Sequence, residues 1–163
     1  MLALDFSKSR PVIGSASVEI DRPVEDVFAF VAENFFQNYP HWAPEVVEFK
    51  AINDNPMAVG ALARQTRIEQ GQKTESTFEI ANLIPNELLE IQGLSEPYSN
   101  SYRFERLDSQ KTRLSFSFQL LELELFMRPF EKLIRRAIEE GAQNSLDNIK
   151  KLLAIEHQEK HSA

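Results

Sequence analysis

The strongest constraint on this chain is a long helical pattern near its end that follows a run of strands and has no second long helix to pack on. Between residues 127 and 155, apolar side chains recur at i, i+3 and i+4: Phe130, Leu133, Ile134, Ala137 and Ile138, then Ile149, Leu152 and Leu153. Such a stripe must be buried, and only a sheet is available to bury it. At ~1.5 Å per residue the helix would be roughly 40 Å long, so the sheet has to curl around it. The stripe weakens at its centre, where Gly141, Asn144, Ser145 and Asn148 replace bulky side chains. That gap predicts a hollow between the middle of the helix and the sheet.

Most of the preceding chain has period two. Ala16, Val18 and Ile20 alternate with Ser17 and Glu19 in a first strand. A helix follows at once: Pro23 suits its first position, Glu25 and Asp26 its positive end, and Val24, Val27, Phe28 and Val31 its buried face. Residues 35–44 hold Pro40, Pro44 and the aromatics Phe35, Phe36, Tyr39 and Trp42, which predicts at most a short, irregular helical turn. Six more strands are expected over 46–52, 61–70, 73–82, 87–94, 98–107 and 112–123. Short turn-forming links such as Gly71-Gln72, Ile84-Pro-Asn86 and Asp108-Ser-Gln110 separate them and imply antiparallel neighbours. The expectation is a single α+β domain over 12–156, with terminal extensions at 1–11 and 157–163.

Composition narrows the function classes. A formal charge of −7 disfavours nucleic-acid binding, which needs a dense basic face. Arg135-Arg136 and Lys150-Lys151 sit among Glu131, Glu139, Glu140 and Asp147 and read as a solvated helix face. The absence of cysteine removes disulfides and thiolate chemistry. No apolar run approaches the ~20 residues of a membrane span, and the first residues lack a signal-peptide layout, so a cytoplasmic protein is expected. No His-x3-His pair, EF-hand spacing, glycine-rich phosphate loop or nucleophile elbow occurs, so neither a metal nor a cofactor is expected. Twelve phenylalanines against 3 tyrosines and 1 tryptophan favour a large apolar interior or an apolar cavity wall.

The segment Ser17-Val-Glu-Ile-Asp-Arg-Pro-Val-Glu-Asp-Val-Phe-Ala-Phe-Val31 resembles the opening of the START-like (SRPBCC) superfamily, in its polyketide cyclase/dehydrase and lipid-transport group. Asn38-Tyr-Pro-His-Trp-Ala-Pro-Glu-Val-Val47, Gly60, Pro85 and the terminal helix agree with it, and the resemblance covers about residues 13–155. It implies the helix-grip fold: a curved antiparallel sheet of about seven strands around a long C-terminal helix, with two short helices after the first strand and a hydrophobic cavity. Members of the superfamily bind lipids, sterols, quinones, hormones or polyketides, and a minority catalyse cyclisation or dehydration. Fold membership does not choose among these.

Strand parity then nominates cavity residues. Leu62, Arg64, Thr66 and Ile68 are expected to point inward on the third strand, leaving Gln65, Arg67 and Glu69 to water. Ser76, Phe78 and Ile80, Leu89 and Ile91, Asn100, Tyr102 and Phe104, and Leu114, Phe116 and Phe118 follow on later strands. Near Leu120-Leu121 the parity breaks, which a bulge or an exposed apolar edge would explain. The candidate ligand-binding set is Trp42, Arg64, Thr66, Ser76, Phe78, Asn100, Tyr102, Phe104, Phe116, Phe118, Ala137, Gly141 and Asn144. A few polar groups on an apolar wall are the usual make-up of a small-molecule site. Arg64 stands out, because a buried guanidinium demands an anionic or strongly polar partner; the alternatives are a one-residue register error or a head that snorkels to the surface. His41 could serve as an acid or base, or simply occupy a surface turn.

Three functions compete. A carrier or sensor of a hydrophobic small molecule needs a continuous cavity. A cyclase or dehydratase needs Arg64, Tyr102 and His41 to converge on one point. A module acting on a protein partner, or as a homodimer, needs an exposed patch around Leu121, Leu123, Leu125 and Phe126.

Overall fold

The computed structural model describes residues 11–54 and 56–161. Strands β1 (Val12–Ile20), β2 (Val46–Ala51), β3 (Leu62–Glu69), β4 (Gln72–Ile84), β5 (Leu88–Gly93), β6 (Tyr98–Asp108) and β7 (Lys111–Leu120) form one antiparallel sheet. Its order is β1-β7-β6-β5-β4-β3-β2. From β2 to β7 the chain is a meander, and β1 closes beside β7. Helices α1 (Val24–Phe28), which runs on through a π-helical turn, and α2 (Phe35–Trp42) fill the connection between the two edge strands. Helix α3 (Glu131–His161) follows a 3-10 turn over Leu125–Phe130. The sheet curves around α3, the helix-grip architecture expected from the sequence.

Some local expectations are corrected. Residues 35–42 make a full helix despite Pro40, because burial of Phe35, Tyr39 and Trp42 on one face outweighs the lost amide donor. The parity break after Leu120 is neither a bulge nor a continued strand: β7 ends there, and the amide of Leu121 donates to the carbonyl of Pro97 at 2.8 Å. Helix α3 starts later than residue 127, where Pro129 lacks a donor, and runs past Ile155 to His161. Of the expected terminal extensions, residues 1–10 and 162–163 lie outside the described residues, as does Asn55 in the turn expected after β2.

Three contacts seat α3. Gly14 of β1 lies against Ile138, the Arg22 guanidinium donates to the carbonyl of Leu153 at 3.0 Å, and Asn148 Nδ2 donates to the carbonyl of Trp42 at 3.1 Å. The polar Asn148 in the apolar stripe therefore ties α3 to α2. The buried stripe proper is Ala142, Leu146, Ile149 and Leu153. Phe130 and Leu133, expected to be buried, are 49% and 65% exposed: Phe130 belongs to the 3-10 turn before α3, and in the first turns of α3 it is Ile134, Ala137 and Ile138 that face the cavity.

Candidate functional site

A cavity of about 520 Å³ lies between the first half of α3, helix α2 and the inner face of β3–β7. Phe35, Phe78, Ile91, Phe116, Phe118, Ile134 and Ile138 supply its apolar wall. It opens beside α3, where Ala137 and Gly141 line it yet remain exposed. A β-carbon at Gly141 would meet nothing within 4 Å, so the weak centre of the helical stripe does mark a hollow.

Of the residues nominated from sequence, Ser76, Phe78, Asn100, Tyr102, Phe116, Phe118, Ala137 and Gly141 line this cavity. Trp42, Arg64, Thr66, Phe104 and Asn144 do not. Arg64 is exposed, so the register alternative was the right one for β3. Thr66 is buried but off the cavity, and Trp42 is fully buried behind it. Phe104 packs edge-on against Phe28 beneath α1, beside a second, polar depression of about 720 Å³ lined by Pro85, Asn86 and Arg106. Asn144 points to solvent, and its neighbour Ser145 takes the lining position. His41 is exposed at the end of α2.

Among the lining residues missed by sequence reading, four polar ones act together: Tyr39, Gln65, Arg67 and Tyr98. They form a hydrogen-bonded chain whose direction is fixed by its first member. A guanidinium can only donate, so Arg67 Nη1 donates to the Tyr39 hydroxyl at 3.2 Å. The Tyr39 proton then goes to Gln65 Oε1 at 2.9 Å. That orients the amide, and Gln65 Nε2 donates to Ser76 Oγ at 3.2 Å and to the Tyr98 hydroxyl at 3.4 Å. A second, shorter chain also begins at a donor-only group, with Trp42 Nε1 donating to the Tyr102 hydroxyl at 3.3 Å.

Electrostatics keep these groups in fixed states. Arg67 Nη2 is held by Glu45 at 2.9 Å and Glu69 at 2.8 Å. Burial alone would depress the guanidinium, but the Tyr39 oxygen and these carboxylates outweigh it and hold Arg67 above its usual range. Burial is also the largest influence on Tyr39 and Tyr102 and pushes both phenols well above the ordinary tyrosine value, against smaller opposing contributions from Arg67 and Trp42. Tyr98 is raised for the same reason. All three are therefore neutral hydroxyls at physiological pH. Asn100, also in the wall, has its Oδ1 buried with no hydrogen-bond partner.

A curved antiparallel sheet gripping a C-terminal helix over an apolar cavity with one polar end defines a helix-grip protein of the START-like class. Residues 12–154 match the model of the family described as polyketide cyclase / dehydrase and lipid transport, and the chain belongs to that family. No curated protein matches its sequence. Among solved structures it is similar to Zhui aromatase/cyclase from a Streptomyces species, with 13% identity, a TM-score of 0.71, and 87% of this chain and 93% of that one covered. Norcoclaurine synthase from Thalictrum flavum gives 15% identity, a TM-score of 0.72 and coverage of 92% and 98%. A Staphylococcus aureus protein of unknown function gives 15%, 0.73, 93% and 99%. At such identities the likeness carries the fold alone.

Proposed function

We propose that the protein binds a hydrophobic small molecule in the cavity beneath α3 and carries or senses it. The observation that supports this reading is the cavity itself, about 520 Å³ with an apolar wall and one hydrogen-bonding end. That volume falls in the usual range for small-molecule sites of about 300–1,000 Å³. The family description, which includes lipid transport, agrees. Native mass spectrometry of the purified protein, followed by extraction, tests the reading directly. A bound apolar compound is expected, and Gly141→Trp, which places a ring where a β-carbon meets open space, should abolish it. Empty protein that takes up no apolar compound would refute the carrier reading.

A cyclase or dehydratase comes second. Its favouring observation is the convergence of Arg67, Tyr39, Gln65, Ser76 and Tyr98 at one end of the cavity. Against it, Arg64 and His41 face solvent, so the groups first nominated for that chemistry do not meet. The surface-module reading has weaker support: Leu125 and Phe126 are 70% exposed, but Leu123 is buried.

A further inference from the structure

The two hydrogen-bond chains share a property that bears on the ligand. Each begins at a group that can only donate, Arg67 in one and Trp42 in the other. Each step therefore hands a donor toward the cavity. The chains end at the hydroxyls of Ser76 and Tyr98, and of Tyr102, all on the cavity wall. Each of these oxygens already accepts one hydrogen bond, and each carries a proton of its own. Ser76 and Tyr98 are close enough for one to take the other's proton, which still leaves one O–H of that pair to spend.

Charge at the same end sets a second condition. Glu45, Glu69 and Glu96 line the cavity against the single guanidinium of Arg67, which is already shared by Glu45 and Glu69. Three carboxylates and one cation leave a net negative rim. An anionic ligand would be repelled there.

Resting on the reading of the cavity as a ligand site, we infer that its occupant is a neutral molecule with an apolar body and one carbonyl-type acceptor oxygen, received by the O–H that the Ser76–Tyr98 pair has left. Tyr102 adds a second donor to the same wall. Arg67 and Gln65 are positioning residues: they act through the pair, holding it with an O–H to donate.

Four probes on one naphthalene frame test this by isothermal titration: methyl naphthyl ketone, ethylnaphthalene, naphthoate and naphthylmethylammonium. The ketone should bind about tenfold more tightly than the hydrocarbon, the gain of a good hydrogen bond, with naphthoate weakest. In a Ser76→Ala/Tyr98→Phe variant the ketone-to-hydrocarbon ratio should fall toward one. In the wild-type protein the infrared carbonyl stretch of the bound ketone should move to lower frequency, a readout independent of any variant's folding. Equal affinity for ketone and hydrocarbon, or an unshifted stretch, overturns the carbonyl assignment and leaves the carrier reading standing. Tightest binding of naphthoate or the ammonium probe overturns it as well. Failure of all four probes to bind overturns both.

Discussion

Gly14 on β1 lies beneath Ile138 of α3 so closely that a β-carbon added to it would stand 2.5 Å from Ile138 Cγ2 and 3.1 Å from the backbone nitrogen of Glu139. The neighbour is partly helix backbone, which a rotamer change cannot move aside. This contact sets the height of α3 above the sheet, and Ile138 is itself in the cavity wall. Gly14→Ala should therefore push α3 outward and destabilise the protein by about 1–3 kcal/mol, the usual cost of overpacking. Urea denaturation measures it; a loss under about 0.5 kcal/mol would mean that the helix is not held at this point.

Gly93 does a similar service for Tyr98. A β-carbon there would come within 2.6 Å of the Tyr98 ring and 2.5 Å of the Glu96 carbonyl, although the glycine needs no left-handed backbone. The requirement is space. Gly93→Ala should displace the Tyr98 ring from its stack on Phe118, where the centroids are 5.5 Å apart, and from its bond with Gln65. The expected result is a changed near-ultraviolet circular dichroism spectrum and a several-fold loss of affinity for the ketone probe, a hydrogen bond being worth about 1 kcal/mol.

The order of elements was legible because it rests on local signals: period-two alternation, turn residues between strands, and one long helix with nothing but a sheet to pack on. The hollow was legible for the same reason, through Gly141 and Ser145. The inner face of β3 was not. Leu62 and Ile68 on even positions, with Gln65, Arg67 and Glu69 on odd ones, look like an ordinary half-buried strand. Here the polar face is the inner one, because Gln65 and Arg67 meet Tyr39, Ser76 and Tyr98. The hairpin register carries the missing signal. The two-residue Gln70-Gly71 turn, with φ of 51° and 78°, pairs Glu69 with Gln72 and Gln65 with Ser76. Directly opposed residues share a face, so Ser76 and Phe78 pointing inward commit the odd residues of β3 inward too. For Phe104 and Asn144 no such local signal exists: sheet curvature puts the first under α1, and helix rotation turns the second to solvent.

The same reversal separates two arginines by experiment. Arg64 is exposed, and its alanine variant should change stability by less than about 0.5 kcal/mol. Arg67→Ala removes the start of the donor chain and leaves the Glu45 carboxylate and the buried Tyr39 hydroxyl short of a partner. A loss of about 1–3 kcal/mol is expected. Paired denaturation curves decide it, and equal effects from the two substitutions would contradict the register described above.

Asn100 should show the reverse trade. Its buried Oδ1 has no partner, and an unsatisfied polar atom costs about 1–3 kcal/mol. Asn100→Leu keeps the branched shape and removes the atom, so the free protein should gain about 1 kcal/mol of stability. That oxygen can only accept, so its partner in the cavity would be a donor group on the occupant; the stabilised variant should bind a naphthyl alcohol more weakly and leave the donor-free ketone probe unaffected. A variant both more stable and unchanged in affinity for the alcohol would remove Asn100 from the site.

The tyrosines offer a reading of the whole polar end at once, because Tyr39, Tyr98 and Tyr102 are the only 3 in the chain. Burial raises all of them above the ordinary value of 10.0. In the unfolded chain they ionise near pH ~10. Above that pH the unfolded state binds fewer protons than the folded state, so stability falls as pH rises; below it, their contribution is fully present. An alkaline titration followed by phenolate absorbance should therefore stay flat through pH ~10 while the fold persists. Absorbance should then rise for all three tyrosines together as helical circular dichroism is lost. A gradual rise centred near pH ~10 in still-folded protein would mean that water reaches these hydroxyls freely. Their protons would then be spent on solvent and unavailable to hold a carbonyl.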